Sequence, residues 1–288
     1  MQTHALKRIA LALATLATGL SAHAADWSDT SLGYRTGSDF REPYNPNEIK
    51  KQIFDFNHVS GYGYGTNFFN VDMLLSDKND PDSAKGVNGA HEVYVVYRNN
   101  LDLEKVTGKS FDWGPIHGLA ITGGFDFNTK TDAGYNSKKR MLVLGPTLMM
   151  DVPGFMNVSL LMAKESNAPY STYTNESTPR YSYKTHPMLA LSWGIPFNVG
   201  PVVLSFEGYA NFIASKGKNE FGGDTAAETD VDMELMYDIG SALGASAKTF
   251  KLGFEYQYWK NKFGNDHNGY AGPGAFAHTP MIRAEYHF

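Results

Sequence analysis

The segment 250–260 restricts the fold more than any other part of this sequence. Apolar or aromatic side chains occupy every second position, namely Phe250, Leu252, Phe254, Tyr256 and Tyr258. The positions between them, from Lys251 to Trp259, are mostly polar. Successive side chains of a β-strand point to opposite faces, whereas a helix would mix the two sets. About ten residues is also the length that a tilted strand needs to cross a bilayer. The segment therefore predicts a two-faced strand that is long enough to span a membrane.

The same alternation returns along the whole chain. It recurs at 67–75, 91–98, 119–128, 156–162, 202–211, 232–239 and 282–288. Short turn signals such as Pro153-Gly154 alternate with long polar stretches such as 76–89 and 165–184. About twelve such strands, with short turns on one side and long loops on the other, are the signature of an outer-membrane barrel. We expect an all-β, antiparallel transmembrane barrel with short periplasmic turns and longer extracellular loops.

The N-terminus has the pattern of a cleaved secretory leader. Lys7 and Arg8 precede an apolar run over 9–20 that is too short to span a membrane. The triplet Ala22-His23-Ala24 then supplies a small-residue cleavage site. The sequence predicts a signal peptide over 1–24, a mature barrel over 25–288, and a location in the outer membrane of a Gram-negative bacterium.

Composition excludes several classes of protein. The chain has no cysteine, so disulfides and thiolate chemistry are absent. Its net charge of −5 becomes −7 when the two basic leader residues are removed, which argues against a nucleic-acid partner. A negative mean hydropathy argues against a helical membrane protein.

No motif points to catalysis, a cofactor or a metal. The nine histidines form no H-E-x-x-H pattern, and no G-x-S-x-G occurs. Gly61, Gly63 and Gly65 lack the strand and helix context of a phosphate loop. The acidic stretch 77–82 lacks the glycine that a calcium loop needs at its sixth position, so we expect a solvated loop there. We predict that the protein is not an enzyme and holds no cofactor.

Three stretches resemble the Tsx-type nucleoside-specific channel family. They are Phe-Asp-Phe-Asn-His at 54–58, Gly-Tyr-Gly-Tyr-Gly-Thr-Asn-Phe-Phe-Asn-Val-Asp at 61–72, and Phe-Glu-Tyr-Gln-Tyr-Trp-Lys-Asn-Lys-Phe-Gly-Asn at 254–265. The terminal Phe288 matches the C-terminal aromatic residue of outer-membrane barrels. The resemblance implies a monomeric, twelve-stranded barrel with a narrow pore that passes nucleosides and deoxynucleosides by passive diffusion. It also implies that the outer loops can serve as a phage or colicin receptor.

Strand parity supplies the candidate pore-lining residues. A nucleoside offers a π-face for stacking and ribose hydroxyls for carboxylates or amides. The aromatic residues predicted to face inward are Phe68, Tyr94, Tyr209 and Trp259. The predicted inward acceptors are Asn70, Asp72, Glu92, Glu207, Asn211, Glu234 and Glu255, and the predicted inward cations are Arg98, Lys251 and Arg283. Alternatively, these charges pair with one another and merely fill the lumen.

Other functions remain open at this point. One is a surface receptor or adhesion barrel whose long loops do the work and whose lumen is closed. Another is a soluble periplasmic ligand-binding barrel, since soluble barrels and sandwiches alternate as well. A hydrolase with a serine and histidine brought together on the barrel is a further alternative. Conductance in planar bilayers separates the channel from the closed receptor.

Overall fold

A computed structural model describes residues 25–134, 136–171 and 176–288; the predicted signal peptide lies outside them. The strands are β1 (Trp27–Glu42), β2 (Asn45–Tyr62), β3 (Gly65–Ser76), β4 (His91–Asp102), β5 (Ile116–Lys130), β6 (Arg140–Met150), β7 (Phe155–Asn167), β8 (Tyr170–Ser171), β9 (Glu176–Ser177), β10 (Tyr181–Ser182), β11 (His186–Val199), β12 (Val202–Ile213), β13 (Glu228–Asp238), β14 (Phe250–Lys260) and β15 (Phe276–His287). One α-helix is described, α1 (Leu103–Thr107), with short 3₁₀ turns at Ser241–Leu243, Lys262–Gly264 and Pro273–Ala275.

Twelve long strands close into an antiparallel barrel, which confirms the predicted fold class. Strands β1 to β7 and β11 to β15 each pair with the next long strand in sequence, and β15 pairs back with β1. The short strand β10 extends the edge of β7, and β8 pairs with β9 as a separate hairpin. Closure satisfies backbone groups that hydrocarbon could not hydrogen-bond. No described helix has the length and apolarity needed to span a membrane.

The outer surface of the barrel is apolar. Exposed side chains alternate along the strands as predicted, and the most exposed include Phe254 at 71%, Leu142 at 64% and Leu144 at 61%. Tyr237 and Tyr286 lie near strand ends, where aromatic girdles meet the membrane interfaces. A surface of this kind needs a bilayer around it, because the apolar area is far larger than a soluble protein exposes.

The two ends of the barrel differ. The first described residue and the C-terminus lie at one end, which also carries the short turns 63–64, 151–154 and 200–201 and the longer segments 103–115 and 239–249. The other end carries the two-residue turn 43–44 and the loop residues 77–90, 168–171, 176–185, 214–227 and 261–275. By the convention of outer-membrane barrels, the first end is periplasmic and the second extracellular. We call them the inner and outer ends.

Two local features differ from the sequence prediction. The expected loop around Pro43 and Pro46 is only a two-residue turn, in which Tyr44 adopts a left-handed conformation with φ 66°. Pro46 instead belongs to β2, close to its beginning, where proline is tolerated. The sequence prediction also lacked α1, whose first turn is capped by the Asp102 carboxylate accepting from the backbone of Glu104 and Lys105.

Candidate functional site: a lumen with an acidic wall and a closed outer end

Two arginines organise the charged side chains inside the barrel. Arg35 on β1 lies 2.8 Å from Asp72 on β3 and 3.2 Å from Glu255 on β14. Arg283 on β15 lies 3.1 Å from Asp55 on β2 and 3.1 Å from Glu255. Three of these four contacts skip over an intervening strand, and the fourth, Arg283 with Glu255, joins neighbours, so the side chains project into the lumen and not into lipid. Residues on the face opposite the exposed apolar side chains therefore line the interior.

On the part of the inner surface that surrounds these two arginines, carboxylates outnumber cations. This wall of the lumen comprises the six neighbouring strands from β12 to β2 by way of β15, together with β3. Apart from Lys51 at the outer end, the cations that form ion pairs on it among the described residues are Arg35, Lys251 and Arg283. The carboxylates are Asp55, Asp72, Glu207, Asp230, Asp232, Glu234, Glu255 and Glu285. Lys251 donates to Glu207 at 2.8 Å and lies 3.8 Å from Glu285. We call this surface the acidic wall.

An apolar cluster lies on the opposite side of the lumen. It consists of Met141 and Val143 on β6, Leu161 and Ala163 on β7, Met188 on β11 and Ile213 on β12. Strands β6 and β7 are six places from β15 and β1 in the ring of twelve, so they face the acidic wall. The side chains of this cluster are buried, so other inward side chains cover them and exclude water from this side of the lumen.

Buried ion pairs bridge the lumen at its outer end. Glu42, at the end of β1, accepts from Lys51 at 2.5 Å and from Lys262 at 3.1 Å. Lys130, at the end of β5, lies 3.3 Å from Glu42 and 3.1 Å from Asp80. Strands β1 and β5 are separated by three others, so the contact of Glu42 with Lys130 bridges part of the lumen. With Asp132, which is 2.8 Å from Lys130, these six residues form the outer network: three lysines and three carboxylates.

The outer network is shielded from water. The side chains of Glu42, Lys51, Asp80 and Lys130 are 0–3% exposed. Burial raises the pKa of the Asp80 carboxyl, opposed by the charge of Lys130. Burial likewise lowers the pKa of the Lys262 ammonium, opposed by the charge of Glu42. The prediction of a solvated loop over 77–82 was therefore wrong for Asp80, which points inward to the lysines.

A second set of contacts closes the other half of the outer end. Lys216 in the loop 214–227 donates to Glu165 at 2.5 Å, with its ammonium 4.4 Å from the ring of Tyr183. Lys139 donates to the Tyr94 hydroxyl at 3.0 Å. Together with the outer network, these contacts leave the outer half of the lumen tightly packed.

Nearer the inner end, some inward side chains are partly accessible to water, although others there, such as Thr122, Thr147 and Ser159, are buried. Those of Asp72, Arg98 and Glu207 are 16%, 19% and 28% exposed. A side chain that faces the interior can reach water only through the lumen. We infer that water reaches these three side chains from the inner end, because the outer network closes the other end, and we call this water-accessible space the vestibule.

The fourteen predicted pore-lining residues all lie on the inner face, in different surroundings. The half-buried ones are Phe68, Asn70, Asp72, Tyr94, Arg98, Glu207, Tyr209, Asn211, Glu234, Lys251 and Trp259. The buried ones are Glu92, Glu255 and Arg283. Whether any of them contacts a permeant solute stays a prediction.

Two of the predicted aromatic residues already form hydrogen bonds with protein side chains at or near the outer end. The indole N–H of Trp259 donates to Glu228 at 2.6 Å, and the ammonium of Lys262 lies 4.3 Å from its ring. Tyr94 accepts from Lys139, as described above, and lies 3.3 Å from Asp126. Phe68 and Tyr209 are on β3 and β12, the two edge strands of the acidic wall, which are six places apart and so on opposite sides of the lumen.

Several central residues were absent from the sequence prediction. Arg35 and Asp55 could have been found, because each alternates with exposed apolar neighbours, Tyr34 for one and Phe54 for the other. Lys130, Lys262 and Asp80 carried no such signal, because they lie at a strand end or in loops. Lys51 is inside β2, but its neighbours Lys50 and Gln52 are polar, so no apolar alternation marked it.

Comparisons with known proteins reach only the architecture. No family model matches the sequence, and no curated protein does. Among solved structures, the translocator domain of the autotransporter NalP from Neisseria meningitidis is 12% identical with a TM-score of 0.46, over 100% of this chain and 97% of that chain. A KdgM porin is 9% identical with a TM-score of 0.40, over 90% of this chain and 99% of that chain. OprB from Pseudomonas putida is 8% identical with a TM-score of 0.28, over 91% of this chain and 94% of that chain. Similarity this distant identifies neither a family nor a substrate.

Proposed function

We propose that this barrel is an outer-membrane channel for the passive diffusion of nucleosides and deoxynucleosides. The vestibule carries the proposal, because it combines aromatic faces with hydrogen-bond acceptors and donors inside a lipid-facing barrel. Phe68 is directly opposite Arg98 in the pairing of β3 with β4. On the opposite side of the lumen, Tyr209 is directly opposite Asp232 in the pairing of β12 with β13.

The chemistry of a nucleoside matches these two surfaces. The base can stack on Phe68 or Tyr209, and stacking of this kind contributes about 1–3 kcal/mol per base. Ribose hydroxyls can donate to the carboxylates of the acidic wall. Conduction needs sites weak enough to release the solute, and several modest contacts along a vestibule meet that requirement.

The test is uptake of a nucleoside panel into liposomes that contain the protein, with ribose as a permeant that has no base. We expect Phe68→Leu and Tyr209→Leu each to weaken nucleoside binding about 5- to 150-fold, the equivalent of one stacking contact. Ribose flux should be unchanged. Phe69→Leu is the matched control, because Phe69 is the next residue on β3 and faces lipid. Equal nucleoside uptake by all three variants and the wild type would contradict the stacking interpretation.

The closed outer end favours a second candidate, a surface receptor for phage or colicin with a sealed lumen. The buried outer network supports it. Planar-bilayer recordings separate the two functions. A barrel that stays silent with and without nucleosides favours the receptor, whereas current that nucleosides reduce indicates the channel.

A further inference from the structure

Three carboxylates of the acidic wall converge on a small volume. Asp232 and Glu234 are alternate inward residues of β13, and Glu255 is directly opposite Glu234 on β14. Each offers an oxygen, and these three oxygens all lie within 4.8 Å of one another. Three negative charges this close repel each other strongly unless positive charge lies among them.

Asp232 gives independent evidence that something is bound there. It is 4% exposed, and its Oδ1 has no hydrogen-bond partner among the described residues. Within the same part of the chain, no lysine, arginine or histidine forms an ion pair with Asp232, although such pairs abound on this wall. Burying a carboxylate without a partner is costly, so Asp232 needs either a proton or a cation at this oxygen.

Both neighbouring arginines are already paired with other carboxylates, and Arg35 lies 2.8 Å from Asp72 and 3.2 Å from Glu255. Arg283 lies 3.3 Å from Glu234 and 3.1 Å from Glu255, and it also serves Asp55 and Glu285. One guanidinium shared among four carboxylates leaves none of its charge for Asp232.

The next inward residue along β13 adds to the negative charge. Asp230 receives only neutral donors among the described contacts, the Tyr209 hydroxyl at 3.2 Å and the Gln257 amide at 3.4 Å. The acidic wall therefore has a local deficit of positive charge centred on Asp232.

We propose that Asp232, Glu234 and Glu255 bind a Ca²⁺ ion. The available ligand atoms are all carboxylate oxygens, which suit hard divalent cations and not softer metals. Calcium–oxygen distances of about 2.3–2.6 Å allow two ligands of one ion to lie about 5 Å apart, which covers the observed spacing. Calcium also tolerates irregular geometry, whereas Mg²⁺ demands near-octahedral ligands and holds its waters.

The site has an access route and room for water ligands. Glu234 is 15% exposed in its side chain and faces the vestibule, so the ion enters from the inner end and keeps water there. A bound Ca²⁺ reduces the negative charge of the acidic wall without blocking Arg35 or Arg283. The site is independent of the nature of the permeant solute.

Equilibrium dialysis with ⁴⁵Ca²⁺ on the folded full-length mature barrel in detergent tests the proposal. We expect about one ion per chain. Asp232→Asn should weaken binding at least tenfold, as should Glu234→Gln, because each removes one charged ligand. Asp224→Asn is the control, since that loop carboxylate is 82% exposed and outside the acidic wall.

Folding of every variant is verified by its mobility on gels without boiling, and two independent ligand variants guard against misfolding of one. Absence of calcium binding by the wild type at millimolar concentration overturns the proposal. So does wild-type affinity in both folded variants. Displacement of Ca²⁺ by an equimolar amount of Mg²⁺ overturns the assignment of the ion.

Discussion

Replacing Glu42 by glutamine is the most informative single change to the outer end. The Glu42 carboxylate accepts hydrogen bonds from Lys51 and Lys262, at 2.5 and 3.1 Å. Lys130 lies 3.3 Å away on the far side of the lumen. Glutamine keeps the shape of the side chain and removes its charge, so three buried ammonium groups then share two carboxylates.

The magnitude follows from the burial of the network. Glu42 is 2% exposed, and removing one partner of a buried ion pair costs about 3–5 kcal/mol because the other charge is left uncompensated. The lysines regain water if the outer end opens. The closed arrangement should therefore lose about 10²- to 10⁴-fold in population relative to an open one.

Single-channel recording in planar bilayers measures this change directly. We expect Glu42→Gln to open far more often than the wild type. Glu48→Gln should behave like the wild type, because the pair of Glu48 with Arg41 is at the surface and the Glu48 side chain is 61% exposed, where ion pairs contribute little. The double variant Glu42→Gln/Lys51→Met restores charge balance and should close again. Identical traces from Glu42→Gln and the wild type would refute the role of the outer network.

Three further changes test other parts of the structure. Gly154→Ala should lower the free energy of unfolding by more than about 2 kcal/mol, because Gly154 has φ 81° and a Cβ would lie 2.1 Å from a backbone oxygen. Phe254→Arg should cost about 2–4 kcal/mol in lipid vesicles, because Phe254 is 71% exposed in the middle of β14. The lowered pKa of Lys262 means that the unfolded chain binds more protons between this pKa and that of a free lysine. Stability should rise with pH across that window, and Lys262→Met should abolish the rise.

Urea unfolding of the refolded barrel measures all three, each beside a matched variant. Gly200→Ala has the strained backbone, with φ 60°, but open space around the Cβ, so its loss should be smaller. Phe221→Arg places the same charge in an exposed loop and should have little effect. Lys218→Met should keep the rise with pH, because the Lys218 side chain is 55% exposed. Equal losses in Gly154→Ala and Gly200→Ala would show that the predicted clash relaxes.

The barrel could be predicted from the sequence because its strands carry a strict two-residue period. Leu235 and Phe254 face lipid while Glu234 and Glu255 face the lumen, and the period alone separates them. A shift of one residue would place charges in hydrocarbon, so the pattern also determines which face is which. The strand lengths were underestimated, because β1 continues to Glu42 beyond its last clear alternation.

The closure could not be predicted in the same way. Lys130 and Glu42 are 88 residues apart in sequence, and their contact depends on where β1 and β5 lie around the ring. Asp80 and Lys262 are in loops, and the two-residue period of the strands does not predict how a loop folds over the end of the barrel. Parity shows which side chains face inward, but the pairs they form depend on the curvature and stagger of the closed sheet.

The composition of the closure bears on how it can open. An apolar plug would be held by the hydrophobic effect, and opening it would expose that surface to water. The outer network is instead three lysines against three carboxylates, all buried. Desolvation offsets much of the attraction within such a network, so a complete set contributes little net stability while the loss of one member is costly. When the outer end opens, each charge recovers hydration. A closure of this kind is specific in its pairing, yet little free energy is needed to undo it.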